Sequence, residues 1–150
     1  MYSYKYPHPA VTVDCAVFGI DDGEPKLLLV QRKNEPFAGA WALPGGFVEI
    51  EEDLEEAARR ELREETGLDN INLEQLAAFG APGRDPRERV ITVAYFALVD
   101  PGELELRAEG DARRVAWFPA GKPPELAFDH REILDAALAR LQKKGYGFKL

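Results

Sequence analysis

Residues 53–66 are the segment that most restricts how this chain can fold. The segment contains no proline or glycine, is rich in Ala, Leu, Glu and Arg, and is followed by Gly67. Asp53 followed by Glu56 is a typical N-terminal capping pair, and glycine often ends a helix in the left-handed conformation. The sequence therefore predicts a helix over residues 53–66 that is capped by Asp53 and ended by Gly67.

The core-facing stripe of this helix changes from apolar to acidic along its length. Residues at helical spacing share one face, and the stripe contains Leu54, Ala57 and Ala58 and then Glu61, Glu64 and Glu65. Three carboxylates within about 6 Å of helix rise, partly withdrawn from water, are costly unless a positive charge lies among them. Mg²⁺ would supply that charge, whereas zinc favours His or Cys ligands, which this region lacks. The alternative is a solvated helix whose Glu and Arg side chains pair four residues apart.

Length and composition limit the class of protein. The 150 residues, of which 45% are hydrophobic and 31% charged, agree with one globular domain over residues 1–150. The formal net charge of −8 disfavours binding to nucleic acid phosphates. The single cysteine, Cys15, cannot form an internal disulfide, and no apolar run is long enough to span a bilayer. We expect a cytoplasmic protein that binds neither nucleic acid nor a membrane.

The rest of the chain alternates strands with one further helix. Residue patterns predict strands over residues 10–20, 26–32, 73–79 and 90–99, shorter strands over 103–106 and 114–118, and a loop with at most a short strand over 34–46. A last helix is expected to start near Asp129, capped by Asp129 with Glu132, and to end at Gly145. Strands interleaved with only two helices favour an α/β fold, with a mixed β-sheet covered on both faces in an α/β/α sandwich.

A longer motif surrounds the acidic helix. Its fixed positions are Gly46, Glu52, Arg60, Glu61, Leu62, Glu64, Glu65, Gly67 and Leu68. This spacing resembles the Nudix box, G-x5-E-x7-R-E-U-x-E-E-x-G-U, in which U is a bulky aliphatic residue, and it matches at every fixed position. The order of strands and helices also resembles the Nudix fold over nearly the whole chain. The resemblance implies one Nudix hydrolase domain.

The resemblance also implies roles for individual residues. The implied metal ligands are Glu61, Glu64, Glu65 and the backbone carbonyl of Gly45, with Mg²⁺ as the cofactor and Mn²⁺ as the alternative. Arg60 and Glu52 would brace the loop and the helix. The implied catalytic residues are Arg60, Glu64 and Glu65. Either glutamate is a candidate for the metal ligand or for the general base. Glu109 is our candidate for a metal ligand from outside the motif, with an exposed turn acid as the alternative reading.

Arginines outside the motif are the candidates for substrate binding. Arg84, Arg87 and Arg89 lie in one turn-rich segment, and Arg32 ends a strand that leads toward the motif. Guanidinium forks suit phosphate oxygens, although a solvated hairpin tip is the alternative. This segment and the Phe-Asp-His sequence at 128–130 resemble the ADP-ribose pyrophosphatase branch. The candidates for stacking on adenine are Phe37, Trp41, Phe79 and Tyr95, with core packing as the alternative for each. The role of His130 is left open.

The resemblance implies metal-dependent hydrolysis of a pyrophosphate bond in a nucleoside diphosphate derivative. ADP-ribose, which would give AMP and ribose 5-phosphate, is the favoured substrate. One alternative is a pyrophosphatase that removes oxidised nucleoside triphosphates such as 8-oxo-dGTP. Another is a non-catalytic domain that senses ADP-ribose, although the intact motif favours catalysis. The expected partner is a nucleotide-type small molecule, and a homodimer is left open.

Overall fold

The computed structural model describes residues 1–20 and 23–146. The strands are β1 (Ala10–Gly19), β2 (Lys26–Arg32), β3 (Trp41–Ala42), β4 (Gly45–Phe47), β5 (Glu74–Phe79), β6 (Val90–Val99) and β7 (Ala112–Pro119), and the helices are α1 (Leu54–Thr66) and α2 (His130–Lys143). Neither helix is long and apolar enough to cross a membrane, and the described residues contain no other candidate.

The strands form one mixed sheet with β1 at its centre. The order is β3-β2-β1-β6-β5, with β4 also paired to β1 and β7 to β2. β1 and β6 run parallel along their whole length, and the other pairs are antiparallel. On its other edge β1 changes partner, because Thr12, Val13 and Asp14 pair with β4 whereas Phe18 and Gly19 pair with β2. The candidate site lies at this split.

Alternating residues of β1 point into two separate hydrophobic clusters. Val13, Cys15 and Val17 pack in the cluster that holds the apolar residues of α1, and Ala16 and Phe18 pack in the cluster that holds those of α2. This alternation is the two-residue period of a strand that is buried on both faces. One helix therefore covers each face of the sheet, which confirms the predicted α/β/α sandwich.

Helix α1 follows the prediction closely. The Asp53 side chain accepts a hydrogen bond from the Leu54 amide, and Gly67 ends the helix at φ 80°. Helix α2 starts where expected, but the predicted cap is wrong: the Asp129 side chain makes no cap hydrogen bond and is paired with Arg84 instead. The carboxylate that the local pattern predicted as the helix cap forms a long-range ion pair instead.

Two other predictions need correction. The predicted strand over residues 103–106 does not form: a 3-10 turn capped by the Asp100 side chain spans Pro101–Glu103, and residues 104–106 belong to neither a helix nor a strand. Proline without an N–H and glycine without a side chain favour that turn over a strand. The predicted loop over residues 34–46 contains β3 and the start of β4, whose pairing with β2 and β1 is not evident from local sequence.

Candidate active site

A cleft of about 420 Å³ opens at the split beside β1. Residues of β1, β4 and α1, the loop before β6 and the start of α2 all contribute to its wall. Its charged lining residues are the acids Asp14, Glu35, Glu49, Glu61, Glu65, Asp85 and Asp111 and the arginines Arg32, Arg60, Arg84 and Arg87. One cavity thus places acidic groups suited to a cation beside arginines suited to phosphate.

Gly45 and Gly46 allow β4 to lie directly against α1 and β1. A Cβ atom on Gly46 would lie 2.6 Å from the Glu61 carboxylate carbon, and one on Gly45 would collide with the Val13 carbonyl oxygen. The Gly45 amide donates to Glu65 Oε1 at 2.8 Å. Only glycine permits so close an approach of the backbone to these side chains.

Glu65 is a buried carboxylate in an acidic environment. The residue is 7% exposed, and no Lys, Arg or His within residues 1–20 and 23–146 lies at ion-pair distance from it. Burial raises its pKa to about 8; the hydrogen bond from Gly45 opposes this, and the charges of Glu61 and Asp14 add to it. A positive charge at this position would therefore stabilise the carboxylate form.

Arg60 connects the motif loop to α1. Its guanidinium forms two hydrogen bonds with Glu52, at 2.6 and 2.9 Å, and a third with the Phe47 carbonyl oxygen at 3.1 Å. It also donates to Glu61 at 2.8 Å and to Glu64 at 3.2 Å. The hydrogen bond from Arg60 holds the pKa of Glu52 below its usual value. Arg60 thus occupies a bracing position and supplies counter-charge to three of the four fixed glutamates of the motif.

The three glutamates of the acidic stripe of α1, Glu61, Glu64 and Glu65, do not all face inward. The Glu61 side chain is 14% exposed, but that of Glu64 is 51% exposed, so the expectation of an inward-facing Glu64 is wrong. In the described ranges, no three His, Cys, Asp or Glu side chains are close enough as they stand to chelate a metal ion. The donors are nevertheless of the type that hard divalent cations take. Burial raises the pKa of Glu61, as it does that of Glu65, and a bound cation would stabilise the charged form of both carboxylates.

The acid that the structure adds from outside the motif is Asp111. Glu109 is exposed and does not line the cleft, so the structure does not bring its side chain to the proposed ligands. The turn at Gly110, φ 61°, separates the two acids, and Asp111 lines the cleft. Asp14 is a second acid that sequence reasoning missed. Its signal was a single carboxylate within the otherwise apolar β1.

The four candidate arginines have different surroundings. Arg84 is almost fully buried and forms two hydrogen bonds with Asp129, at 2.8 and 2.6 Å. Arg87 forms a similar pair with Asp85, at 3.0 and 2.8 Å. Arg32 donates to the Pro36 carbonyl oxygen, and burial, with the neighbouring Arg87 charge, lowers its pKa. The fourth, Arg89, is exposed and does not line the cleft, because it lies at the entry to β6 beyond the turn.

The aromatic residues at the cleft differ from those expected. Phe47 and Phe128 line it, and the Arg87 guanidinium lies 5.0 Å from the first ring and 5.6 Å from the second. Phe128 has a φ of 52°, a left-handed conformation that is rare for a bulky side chain. The four predicted stacking residues are absent from the cleft lining: Phe37 packs on Phe128, Trp41 on Phe118, and Phe79 and Tyr95 in the core clusters.

His130 lines the cleft and is buried. Its Nδ1 accepts from the Leu43 amide at 3.0 Å, and its Nε2 lies 3.4 Å from Asp14 Oδ1. The other oxygen of Asp14 accepts from the Thr92 hydroxyl at 2.6 Å. Burial lowers the pKa of His130, which keeps the imidazole neutral. This side chain therefore connects α2 to the loop before β4.

Comparison with known sequences agrees with this geometry. The model of the NUDIX domain matches residues 8–137. An ADP-ribose pyrophosphatase of Methanocaldococcus jannaschii is 46% identical over 129 residues, which are 86% of this chain and 73% of that enzyme. An ADPR responsive transcriptional repressor, NtrR, of Acinetobacter baylyi is 44% identical over 143 residues. The alignment with the repressor covers 93% of this chain but only 57% of the repressor.

Solved structures show the same fold. The NUDIX domain of Shewanella oneidensis NrtR, crystallised with ADP ribose, superposes with a TM-score of 0.83 at 36% identity and covers 93% of this chain and 94% of that chain. A MutT/nudix family protein from Enterococcus faecalis superposes with a TM-score of 0.86 at 35% identity, over 95% of this chain and 66% of that chain. The sequence match over residues 8–137 and these superpositions together establish that the chain belongs to the Nudix family.

Proposed function

We propose that this protein hydrolyses the pyrophosphate bond of ADP-ribose and releases AMP and ribose 5-phosphate. The observation that carries the proposal is one cleft in which buried carboxylates lie beside the guanidinium groups of Arg32, Arg84 and Arg87. The Methanocaldococcus relative is named as an ADP-ribose pyrophosphatase, and the Shewanella domain was crystallised with ADP ribose. Both similarities support a diphosphate-linked nucleoside as the ligand.

Nudix hydrolases generally use divalent metal ions. For this chain we propose Mg²⁺, with Mn²⁺ as the alternative, held by Glu61, Glu64, Glu65 and the Gly45 carbonyl. A bound cation of this kind neutralises the diphosphate and makes a water molecule more acidic. Arg60, through its pair with Glu52, would keep the motif loop on the helix that carries these ligands.

The remaining steps belong to residues of the chain. Arg32, Arg84 and Arg87 would hold the phosphate oxygens; the pairs with Asp129 and Asp85 orient the guanidinium planes of Arg84 and Arg87, and the Pro36 carbonyl oxygen orients that of Arg32. Glu64 or Glu65 would accept the proton of the attacking water. We propose that residues 1–150 act as one domain in this reaction and that the partner is a nucleotide-type small molecule.

Binding without cleavage is the second candidate function. The similarity to the Acinetobacter repressor favours it, because that protein is named as responsive to ADPR. A Shewanella NrtR was also crystallised with a 27mer DNA, although the net charge of −8 here disfavours DNA as a partner. In a sensor, ADP-ribose would bind in the same cleft and remain intact.

A substrate panel tests these alternatives. ADP-ribose, an oxidised triphosphate such as 8-oxo-dGTP, a dinucleotide and a nucleotide sugar are each incubated with Mg²⁺, Mn²⁺ or a chelator in oxygen-18 water, and the products are identified by mass spectrometry. We expect AMP and ribose 5-phosphate from ADP-ribose with the highest kcat/KM, and no turnover with the chelator. Faster turnover of the triphosphate contradicts the proposed substrate. Calorimetric binding of ADP-ribose without products supports the sensor instead.

A further inference from the structure

The segment Leu43–Gly45 is attached to three different elements by three successive backbone groups. The Leu43 amide donates to His130 at the start of α2, the Pro44 carbonyl oxygen accepts from the Cys15 amide in β1 at 2.8 Å, and the Gly45 amide donates to Glu65 in α1. The last of these bonds positions the buried carboxylate of the site. Of the three attachments, only the first depends on a side chain outside the family motif.

His130 is held in one chemical form by its two neighbours. Because Nδ1 accepts from an amide, it carries no proton, so the neutral ring carries its proton on Nε2. Asp14 Oδ1 lies 3.4 Å from Nε2, and the Thr92 hydroxyl donates to the other Asp14 oxygen. The imidazole is almost completely buried and cannot turn to another partner without leaving the Leu43 amide unpaired.

The Leu43–Gly45 segment, which His130 holds at Leu43, is tightly packed at its other end. Gly45 and Gly46 already touch Val13, Asp14 and Glu61 so closely that a single added carbon would not fit. A shift of Leu43 would therefore pass along the chain to Gly45 and to its hydrogen bond with Glu65. Small displacements of reacting groups are sufficient to slow an enzyme strongly.

We propose that His130 is a positioning residue: by accepting the Leu43 amide it fixes the Leu43–Gly45 segment, and through Gly45 the carboxylate of Glu65, in the geometry that the reaction needs. His130 itself touches no reacting atom. The kinetic part of this proposal rests on the proposed hydrolysis of ADP-ribose, and the structural part does not.

Two amide side chains of different length separate this role from simple packing. In His130→Asn the side-chain oxygen lies where Nδ1 is now and can still accept from Leu43. In His130→Gln the amide group lies one bond further out, near Asp14, and leaves the Leu43 amide without an acceptor. Both variants lose the ring, so a role in packing alone would affect them equally.

Residue-resolved amide hydrogen exchange of the metal-free protein is the first measurement. We expect the Leu43 and Gly45 amides to exchange at least about tenfold faster in His130→Gln than in His130→Asn. In the wild-type protein, nitrogen NMR should show the proton of His130 on Nε2. Equal protection of these amides in the two variants overturns the proposal. So does a proton on Nδ1 of the wild-type ring, a result that does not depend on whether the variants fold.

Kinetics with ADP-ribose is the second measurement. We expect kcat of His130→Gln to fall at least about tenfold with KM changed less than about threefold, and His130→Asn to keep most of kcat. Asp129→Asn is the matched control, since it alters the adjacent residue and weakens the hold on Arg84, and it should act mainly on KM. Equal loss of kcat in all three variants overturns the positioning role. If the wild type fails to cleave ADP-ribose, the proposed function is contradicted, while the exchange and NMR results still decide the role of His130.

Discussion

At the scale of single residues, the buried carboxylate of Glu65 has the greatest consequence for the metal-free protein. Its charged form is disfavoured by burial and by neighbouring acids, which raise its pKa to about 8. Glu65→Gln removes the charge and keeps the shape, so we expect the free energy of unfolding near neutral pH to rise by about 1–3 kcal/mol. The same change should lower kcat about 100-fold or more, because a proposed metal ligand or base is lost. Urea denaturation without metal and steady-state kinetics with Mg²⁺ measure the two effects.

Glu64→Gln is the matched control for stability. Glu64 is half exposed and paired with Arg60, so its replacement should change the free energy of unfolding by less than about 0.5 kcal/mol while still lowering turnover. Similar stabilisation by both variants would contradict the burial argument. Unchanged turnover in both would remove the proposed site.

At the scale of elements, the pair of Arg60 and Glu52 holds the motif loop on α1. Arg60→Lys removes the two-bond fork and the contact with the Phe47 carbonyl, and we expect a loss of about 1–2 kcal/mol in the free energy of unfolding. Glu52→Gln should cost a similar amount, and the double variant should lose less than the sum of the two. Denaturant unfolding of the four proteins measures this coupling. Arg131→Lys is the control, because its pair with Asp135 is 3.2 Å long and both side chains are more than half exposed. Strictly additive losses would show that the Arg60 pair does not join the two elements.

At the scale of the whole molecule, His130 links α2 to the central sheet and makes stability depend on pH. Burial lowers its pKa, Asp14 and Asp129 oppose this, and the charges of Arg84 and Arg32 reinforce it. An unfolded histidine takes up a proton near pH 6.5, so below that pH the unfolded chain binds more protons than the folded one. The contribution of His130 to the free energy of unfolding should therefore fall as pH drops below about 6.5, by up to about 1.4 kcal/mol per pH unit, whereas Glu65, with its pKa raised to about 8, acts in the opposite direction over the same range.

The comparison protein for this pH dependence is His130→Asn, whose side chain does not titrate. Urea denaturation of both proteins at steps between about pH 5 and 8 should show the free energy of unfolding of the wild type falling relative to that of the variant as pH drops below 6.5, because the contribution of Glu65 is common to both. Equal slopes would show that other groups, such as the acids paired with Arg60 and Arg87, account for the whole acid dependence.

The sequence by itself determined the elements whose causes are local. Helix α1 was predictable because its cap, composition and terminal Gly67 lie within one short segment, and the longer strands and the α/β/α layering followed from residue patterns. The motif spacing also indicated the family. The 3-10 turn at Pro101 was missed because its neighbours have the pattern of a strand.

The tertiary structure alone decided which other side chains meet at the cleft. Asp14 and Asp111 enter it while Glu109 and Arg89 stay outside, and Asp129 pairs with Arg84 rather than capping its own helix. Each of these outcomes depends on contacts between residues far apart in the chain, some separated by more than 40 positions. Local patterns record what a segment can form by itself, whereas the direction of a side chain in a cleft is set by strand register and by competition among distant partners.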